Sequence, residues 1–213
     1  MEIEKNIDST KEEKYKNIVM SSSVENLIGN LRNIIEDIHF IDPLCEDSEF
    51  VSISNNLKNL IEKSKTEEKL PTWKFAKYHN PISGVMNPLS PPLVCSEKED
   101  NTFSVYFNKS HQSMNNIVHG GILSSVFDDV LQKISQKSGK YCATAELVVT
   151  FIKPTPINEK IFINGSIMEI HEKKVVTIAE MICNGVITAR GKAVMVPIDM
   201  EKINKSIPKS NGL

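Results

Sequence analysis

The sequence predicts an α+β fold in which one long helix is followed by a run of antiparallel strands, and three patterns carry that expectation. Apolar residues recur every three or four positions from Ile122 to Ile134, then every second position from Ala143 onward. The pair Asn184-Gly185 separates the last two strand-like runs and is the dipeptide that best fits a two-residue type I′ hairpin. Nearly all of this patterning follows Pro81, whereas the amino-terminal third is rich in Lys, Asn, Ser and Glu and poor in aromatics.

Taken in order, the first helical stripe is Val24, Leu27, Ile28, Leu31, Ile34, Ile35 and Ile38, opened by a capping box of Ser22 and Glu25. A weaker stripe over residues 49–63 holds Phe50, Ile53, Leu57, Leu60 and Ile61, and the charged run KSKTEEKLP closes it. Both stripes need burial. The main domain is the expected partner, with another protein second and a membrane surface third, because the polar faces carry both signs of charge.

The proline-rich segment NPISGVMNPLSPPL cannot form a helix interior or a central strand and is expected to be an extended linker or a sheet edge. Residues 102–107 (TFSVYF) read as a strand. The long helix is expected over residues 121–138, with Ile122, Leu123, Val126, Phe127, Val130, Leu131 and Ile134 on its apolar face and Ser138-Gly139 as its stop. Ala143, Ala145, Leu147, Val149 and Phe151 then share one face of a strand, and further strands follow at about 160–170, 174–183 and 186–198. This divides the chain into a helical, partly disordered extension (1–75), a main domain (76–200) and a flexible tail (201–213).

Charge and composition exclude several functions. With 25 Lys and Arg against 27 Asp and Glu, the 213 residues carry a formal net charge of −2, too balanced for a nucleic-acid binder. No run approaches the roughly 18 to 20 apolar residues of a membrane span. Acidic residues Glu2, Glu4, Asp8, Glu12 and Glu13 fit neither a secretory signal nor a mitochondrial presequence, so a cytoplasmic location is expected, with the mitochondrion as the alternative. Cys45, Cys95, Cys142 and Cys183 form no CxxC pair, read as small buried hydrophobes, and suggest neither zinc nor a redox dithiol. No metal or cofactor is expected. His39, His79, His111 and His171 read as solvent or loop residues.

The chemistry concentrates at the start of the long helix. Gly120-Gly121 leaves the first amides clear of side chains, and free N–H groups at a helix start favour developing negative charge. Asp128 lies two turns on, and Gly121, Ser124, Ser125, Asp128 and Gln132 make a small, polar face that another backbone or subunit could approach closely. A plain glycine turn and a solvated surface acid are the alternatives.

The runs VHGGILSSVFDDV and TAELVVTFIKPTP, with NPLSPPL upstream, resemble the hot-dog-fold acyl-CoA thioesterases of the PaaI-like type, over about residues 80–198. The resemblance implies a hot-dog fold, an antiparallel sheet wrapped around one central helix, and hydrolysis of an acyl-CoA to free acid and CoA. It assigns the Gly120 amide to polarise the carbonyl, Asp128 as base or nucleophile, and Thr144 to orient water. Acid and amide would come from opposite subunits of a homodimer, often paired into a dimer of dimers. Asp129 competes with Asp128 but lies nearer the apolar face. His119 is expected to hold the turn by a hydrogen bond, an acid–base role being the alternative, and Ser113, His119 and Gly121 are candidates for substrate contact. Relatives often carry Asn where this chain has Ser113 and Gly where it has Asn116. Lys153, Arg190 and Lys192 are candidates for the CoA phosphates, solvated surface charges being the alternative. A non-catalytic acyl-CoA-binding or scaffold protein is the second reading, and a hydroxyacyl-thioester dehydratase the third. The extension offers no nucleophile, metal cluster or phosphate loop and is expected to be dispensable for chemistry.

Overall fold

The computed structural model describes residues 20–41, 44, 47–65, 80–96 and 100–199. The expectations for Cys45, His79 and the tail 201–213 lie outside the described residues, as does the side chain of His39.

The helical period before Gly139 produces one uninterrupted helix, and the period-two runs after it produce a meander. Helices α1 (Ser22–Asp37) and α2 (Ser48–Ser64) precede β1 (Leu93–Cys95) and β2 (Thr102–Tyr106). After a 3-10 turn at Lys109–His111 come helix α3 (Gly120–Gln136) and strands β3 (Cys142–Phe151), β4 (Lys160–Ile170), β5 (Val175–Cys183) and β6 (Val186–Pro197). The strands form a single antiparallel sheet in the order β1-β2-β4-β5-β6-β3, so β1 and β3 are its edges. Between β5 and β6, Asn184 and Gly185 both have positive φ (48° and 76°), the left-handed pair that a type I′ turn requires.

One face of the sheet lies on α3. Leu123, Val126, Phe127, Val130, Leu131 and Ile134 from the helix meet Ile161, Ile163, Met181 and Met195 from the strands in one core, each at most 3% exposed. Burying each such side chain stabilises the fold by about 1.5–3 kcal/mol. The helix approaches the sheet closely because two strand positions lack side chains. A Cβ on Gly191 would come within 2.5 Å of the Phe127 ring, and one on Gly165 within 2.4 Å of Ile134 and 2.7 Å of the Ile178 carbonyl oxygen.

Three elements depart from the simple patterns. The cap of α1 is Ser21, whose Oγ accepts from the Val24 N–H at 3.3 Å, so the helix starts one residue before the Ser22/Glu25 spacing predicts. The proline-rich segment is neither uniformly extended nor a plain linker: residues 81–90 fold into successive turns and only Leu93–Cys95 pairs as an edge strand. In β3 a bulge at Ala145 interrupts the register between Thr144 and Glu146. It breaks the expected five-residue alternation. Thr144 pairs with buried Met195 and Leu147 with buried Ala193, so both face the helix although they are three positions apart.

Helix α1 makes hydrogen bonds to the domain through Arg32 and Glu36, and Ile28 is its one buried residue. Ile34 and Ile38 remain exposed, and α2 buries none of its stripe. Among the described residues no helix is long and apolar enough to cross a membrane.

The glycine contacts set a stability test. Gly165→Ala should lower unfolding free energy by about 1–3 kcal/mol, since the Ile178 carbonyl cannot yield as a flexible side chain could. Gly29→Ala, in α1 with nothing within 4 Å of the new Cβ, should raise it or leave it unchanged, by up to about 1 kcal/mol. Urea unfolding of the two variants checks the pair.

Candidate active site

The start of α3 is held by a small hairpin. Gln112 bridges to Val118, the Ser113 N–H donates to the Ile117 carbonyl, and Asn115 and Asn116 turn the chain with φ of 48° and 58°. Asn116 therefore supplies the left-handed conformation for which relatives are expected to use Gly. The His119 N–H donates to the His111 carbonyl at 2.9 Å. His119 is the N-cap of α3, and its Nδ1 accepts from the Gly121 N–H at 3.0 Å. The Ile122 and Leu123 amides donate to the His119 carbonyl. Gly120 is left with an N–H that has no acceptor among the described residues. Gly120 lines a groove of about 400 Å³ together with Ile117, Leu123, Phe151, Lys153 and Thr155. The Phe151 ring lies so close that a Cβ on Gly120 would sit 3.2 Å from its tip.

Asp128 and Asp129, adjacent in sequence, have opposite surroundings. Asp128 is half-buried, and its carboxylate has no hydrogen-bond or ionic partner among the described residues. Asp129 is 4% exposed, accepts from Asn80 Nδ2 at 3.0 Å and pairs with Lys133, which in turn donates to Ser83 Oγ at 2.9 Å. Asn80 Oδ1 also accepts the Ile82 and Ser83 amides, so this cluster fastens the proline-rich turns to α3. The burial of Asp129 is thus satisfied by hydrogen bonds and a cation.

The remaining candidates divide between two faces. Thr144 is half-buried on the helix side of β3, and its Oγ1 donates to the Met195 sulfur at 3.4 Å. Lys153 lines the groove beside Gly120. Arg190 and Lys192 flank Gly191, whose inward face meets Phe127, so both project from the opposite side of the sheet, and Arg190 Nε donates to Glu180 at 2.7 Å. One chain therefore brings Lys153, but not Arg190 or Lys192, to the groove. Ser113 is exposed at the hairpin and Gly121 is exposed beside its His119 cap. The small face of α3 is closed on itself by Ser124 and Ser125, whose hydroxyls donate to the Gly120 and Gly121 carbonyls. Among the described residues no cluster of His, Cys, Asp or Glu could hold a metal. Cys142 and Cys183 are buried as expected, whereas Cys95 is exposed.

The fold is that of a solved thioesterase superfamily protein, to which this chain is 22% identical with a TM-score of 0.72, over 83% of this chain and 96% of that one. The match covers more than residues 80–199 could supply, so it reaches into the amino-terminal extension. With the six-stranded sheet on one long helix, this is a hot-dog fold with helices added in front. The chain is also similar to a thioesterase superfamily protein from Shewanella loihica PV-4 (21% identity, TM-score 0.42, 51% of this chain and 91% of that one). A third similarity is to the E. coli PaaI protein of the phenylacetic acid degradation operon (13% identity, TM-score 0.44, 46% of this chain and 72% of that one). No family model matches the chain, and no curated protein matches it significantly.

His111, too, departs from its sequence expectation. It is not a solvent histidine: it is 5% exposed, its ring stands edge-on to Phe107 with centroids 5.8 Å apart, and both ring nitrogens are used. Nδ1 accepts the Asn108 N–H at 3.1 Å, which leaves Nε2 to donate to the Leu89 carbonyl at 3.2 Å. The available signal was Asn108-Lys-Ser-His111, a capping box with His in the closing position. By contrast His171 is exposed and pairs with Glu169. Burial pushes the His111 imidazole below its ordinary 6.5, a shift opposed by the Leu89 hydrogen bond and Glu36 and reinforced by Arg32. Because the neutral ring is the folded form, the unfolded chain binds more protons as pH drops below that ordinary value. Stability should be level above about pH 6.5 and decline as pH falls toward the lowered value; His111→Phe should be less stable overall but flat between pH 5 and 7. Urea midpoints across that range test it.

Proposed function

We propose that this chain is a PaaI-like acyl-CoA thioesterase, hydrolysing an acyl-CoA thioester to free acid and CoA. The observation that carries the reading is the occurrence on one helix of a Gly120 N–H, at the positive end of α3 where the residue lines a groove, and an Asp128 carboxylate, both without a partner among the described residues. A thioester carbonyl bound at Gly120 would have its developing oxyanion stabilised by that amide and the helix dipole. A carboxylate such as Asp128 would take a proton from water or attack the carbonyl carbon directly. In the water route the hydroxide oxygen bonds to that carbon, the C–S bond breaks, and the thiolate leaves to take up the proton. Thr144 would orient the water, while Ser113, His119, Gly121 and Lys153 would hold substrate, with Arg190 and Lys192 available to CoA phosphates. The shared fold raises the expectation of this chemistry without supplying it.

Two copies are needed for that chemistry. Eight residues separate Gly120 from Asp128, about 12 Å along a helix at about 1.5 Å per residue. Amide and acid must both lie within about 3 Å of one reacting centre. A homodimer in which Gly120 of one chain meets Asp128 of the other removes the mismatch, and a dimer of dimers extends it. The outer edge of β3, ten residues long, has no strand beside it among the described residues and could offer its backbone groups to a second copy.

A non-catalytic acyl-CoA-binding or scaffold role is the second reading, favoured by Ser113 where relatives carry Asn and by a Thr144 hydroxyl whose proton is engaged by sulfur.

Purified protein assayed against acyl-CoAs of graded chain length, by free-thiol release, should show hydrolysis; binding without release would favour the scaffold. Asp128→Asn should lower kcat on the order of 10² to 10⁴-fold with little change in KM. Asp129→Asn should lower thermal stability and affect kcat much less. Thr144→Ala should fall between Asp128→Asn and wild type, and Gly120→Val should lose roughly 10² to 10³-fold. Equal turnover for wild type and Asp128→Asn removes Asp128 from the reaction.

Oligomeric state is a separate expected outcome. Sedimentation at micromolar concentration should give a dimer or larger; an active monomer would contradict the two-chain site.

A further inference from the structure

The sequence reading leaves the extension outside the chemistry, yet α1 carries two side chains, one turn apart, that bond across to the domain. Glu36 Oε1 accepts the Lys109 N–H at 3.2 Å, and Oε2 accepts from Asn108 Nδ2 at 3.1 Å. Arg32 Nη2 donates to the Val85 and Asn87 carbonyls at 3.1 and 3.3 Å. Both anchors lead to one buried ring. On the Glu36 side, Asn108 and Lys109 open the 3-10 turn that ends at His111, and the Asn108 N–H donates to His111 Nδ1. On the Arg32 side, Asn87 Oδ1 accepts the Leu89 N–H, and the Leu89 carbonyl accepts from His111 Nε2. The His111 carbonyl then accepts the N–H of His119, the residue whose ring caps α3 and whose following amide is Gly120.

We infer that Glu36 is a positioning residue for the Gly120 amide, acting through the 3-10 turn, His111 and His119, so that the amino-terminal helix is part of the support of the site. The inference deepens the thioesterase reading and rests on it for its kinetic arm. The links from Glu36 to the turn and from His111 to His119 are hydrogen bonds, and Glu36, Asn108 and Lys109 are only partly buried. Without the carboxylate, the Lys109 amide and the Asn108 side chain lose their shared acceptor and the turn carrying His111 is free to shift. A donor aimed at an oxyanion loses its effect steeply with displacements of about 1 Å.

The test is hydrogen exchange and kinetics on the full chain. In Glu36→Ala, amide exchange over residues 108–123 should quicken about tenfold or more, while β5, in the centre of the sheet, keeps the wild-type rate; a purely structural role would quicken both. Turnover of the best acyl-CoA should fall roughly 10- to 100-fold in kcat with KM little changed. Glu36→Gln, which keeps the shape and one acceptor oxygen, should recover part of both effects, and Glu62→Ala on exposed α2 should match wild type. Unchanged exchange over residues 108–123 in Glu36→Ala overturns the inference whatever the activity. If Glu36→Ala fails to fold, unchanged exchange in Glu36→Gln overturns it equally. A wild type that hydrolyses no acyl-CoA defeats the thioesterase reading, while the exchange measurement still decides whether Glu36 holds the turn.

Discussion

The structure depends on enclosing one apolar helix. Phe127 and Ile134 of α3 press against strand backbone at Gly191 and Gly165, and no side chain larger than hydrogen fits at either point without displacement. Interiors packed to this density transmit small shifts instead of absorbing them. The position of α3 against the sheet therefore sets both the direction of the Gly120 amide at one end and the height of Asp128 along its exposed flank. The fold and the candidate site are one constraint seen at two scales.

Burial explains why two neighbouring carboxylates diverge. A 100° step along α3 carries Asp129 into the protein, where Asn80 and Lys133 compensate it, and leaves Asp128 on the rim with no partner among the described residues. A carboxylate fully engaged by a cation and an amide is committed to structure. Its uncommitted neighbour keeps its lone pairs for other work, and the small residues around it let a second molecule come close.

Much of this was readable in the sequence because it is local. The period of α3, the four long strands and the Asn184-Gly185 turn all follow from patterns within about a dozen residues. The glycine pair at the helix start was readable for the same reason. Contacts between distant segments were not: Asn80 with Asp129, Glu36 with Lys109 and Leu89 with His111 join residues that no periodicity relates. Nor could a stripe of apolar residues announce that Phe50, Ile53, Leu60 and Ile61 of α2 would be exposed. Simple alternation puts Ala143 and Ala145 on the face of Leu147, whereas Thr144 shares it, because Ala145 is an extra residue in the ladder.

That extra residue bears on how this strand can change over generations. With Ala145 bulged out of the pairing, β3 contains one position that the ladder does not count. Loss of that single codon would turn the strand into a regular one and still leave Thr144 and Leu147 on the same side. Loss of a codon within residues 147–150 instead would invert the helix-facing set on one side of the gap. Insertions and deletions in β3 are thus not equivalent, and an alignment that places its gap before Thr144 would assign that hydroxyl to the wrong surface relative to Leu147.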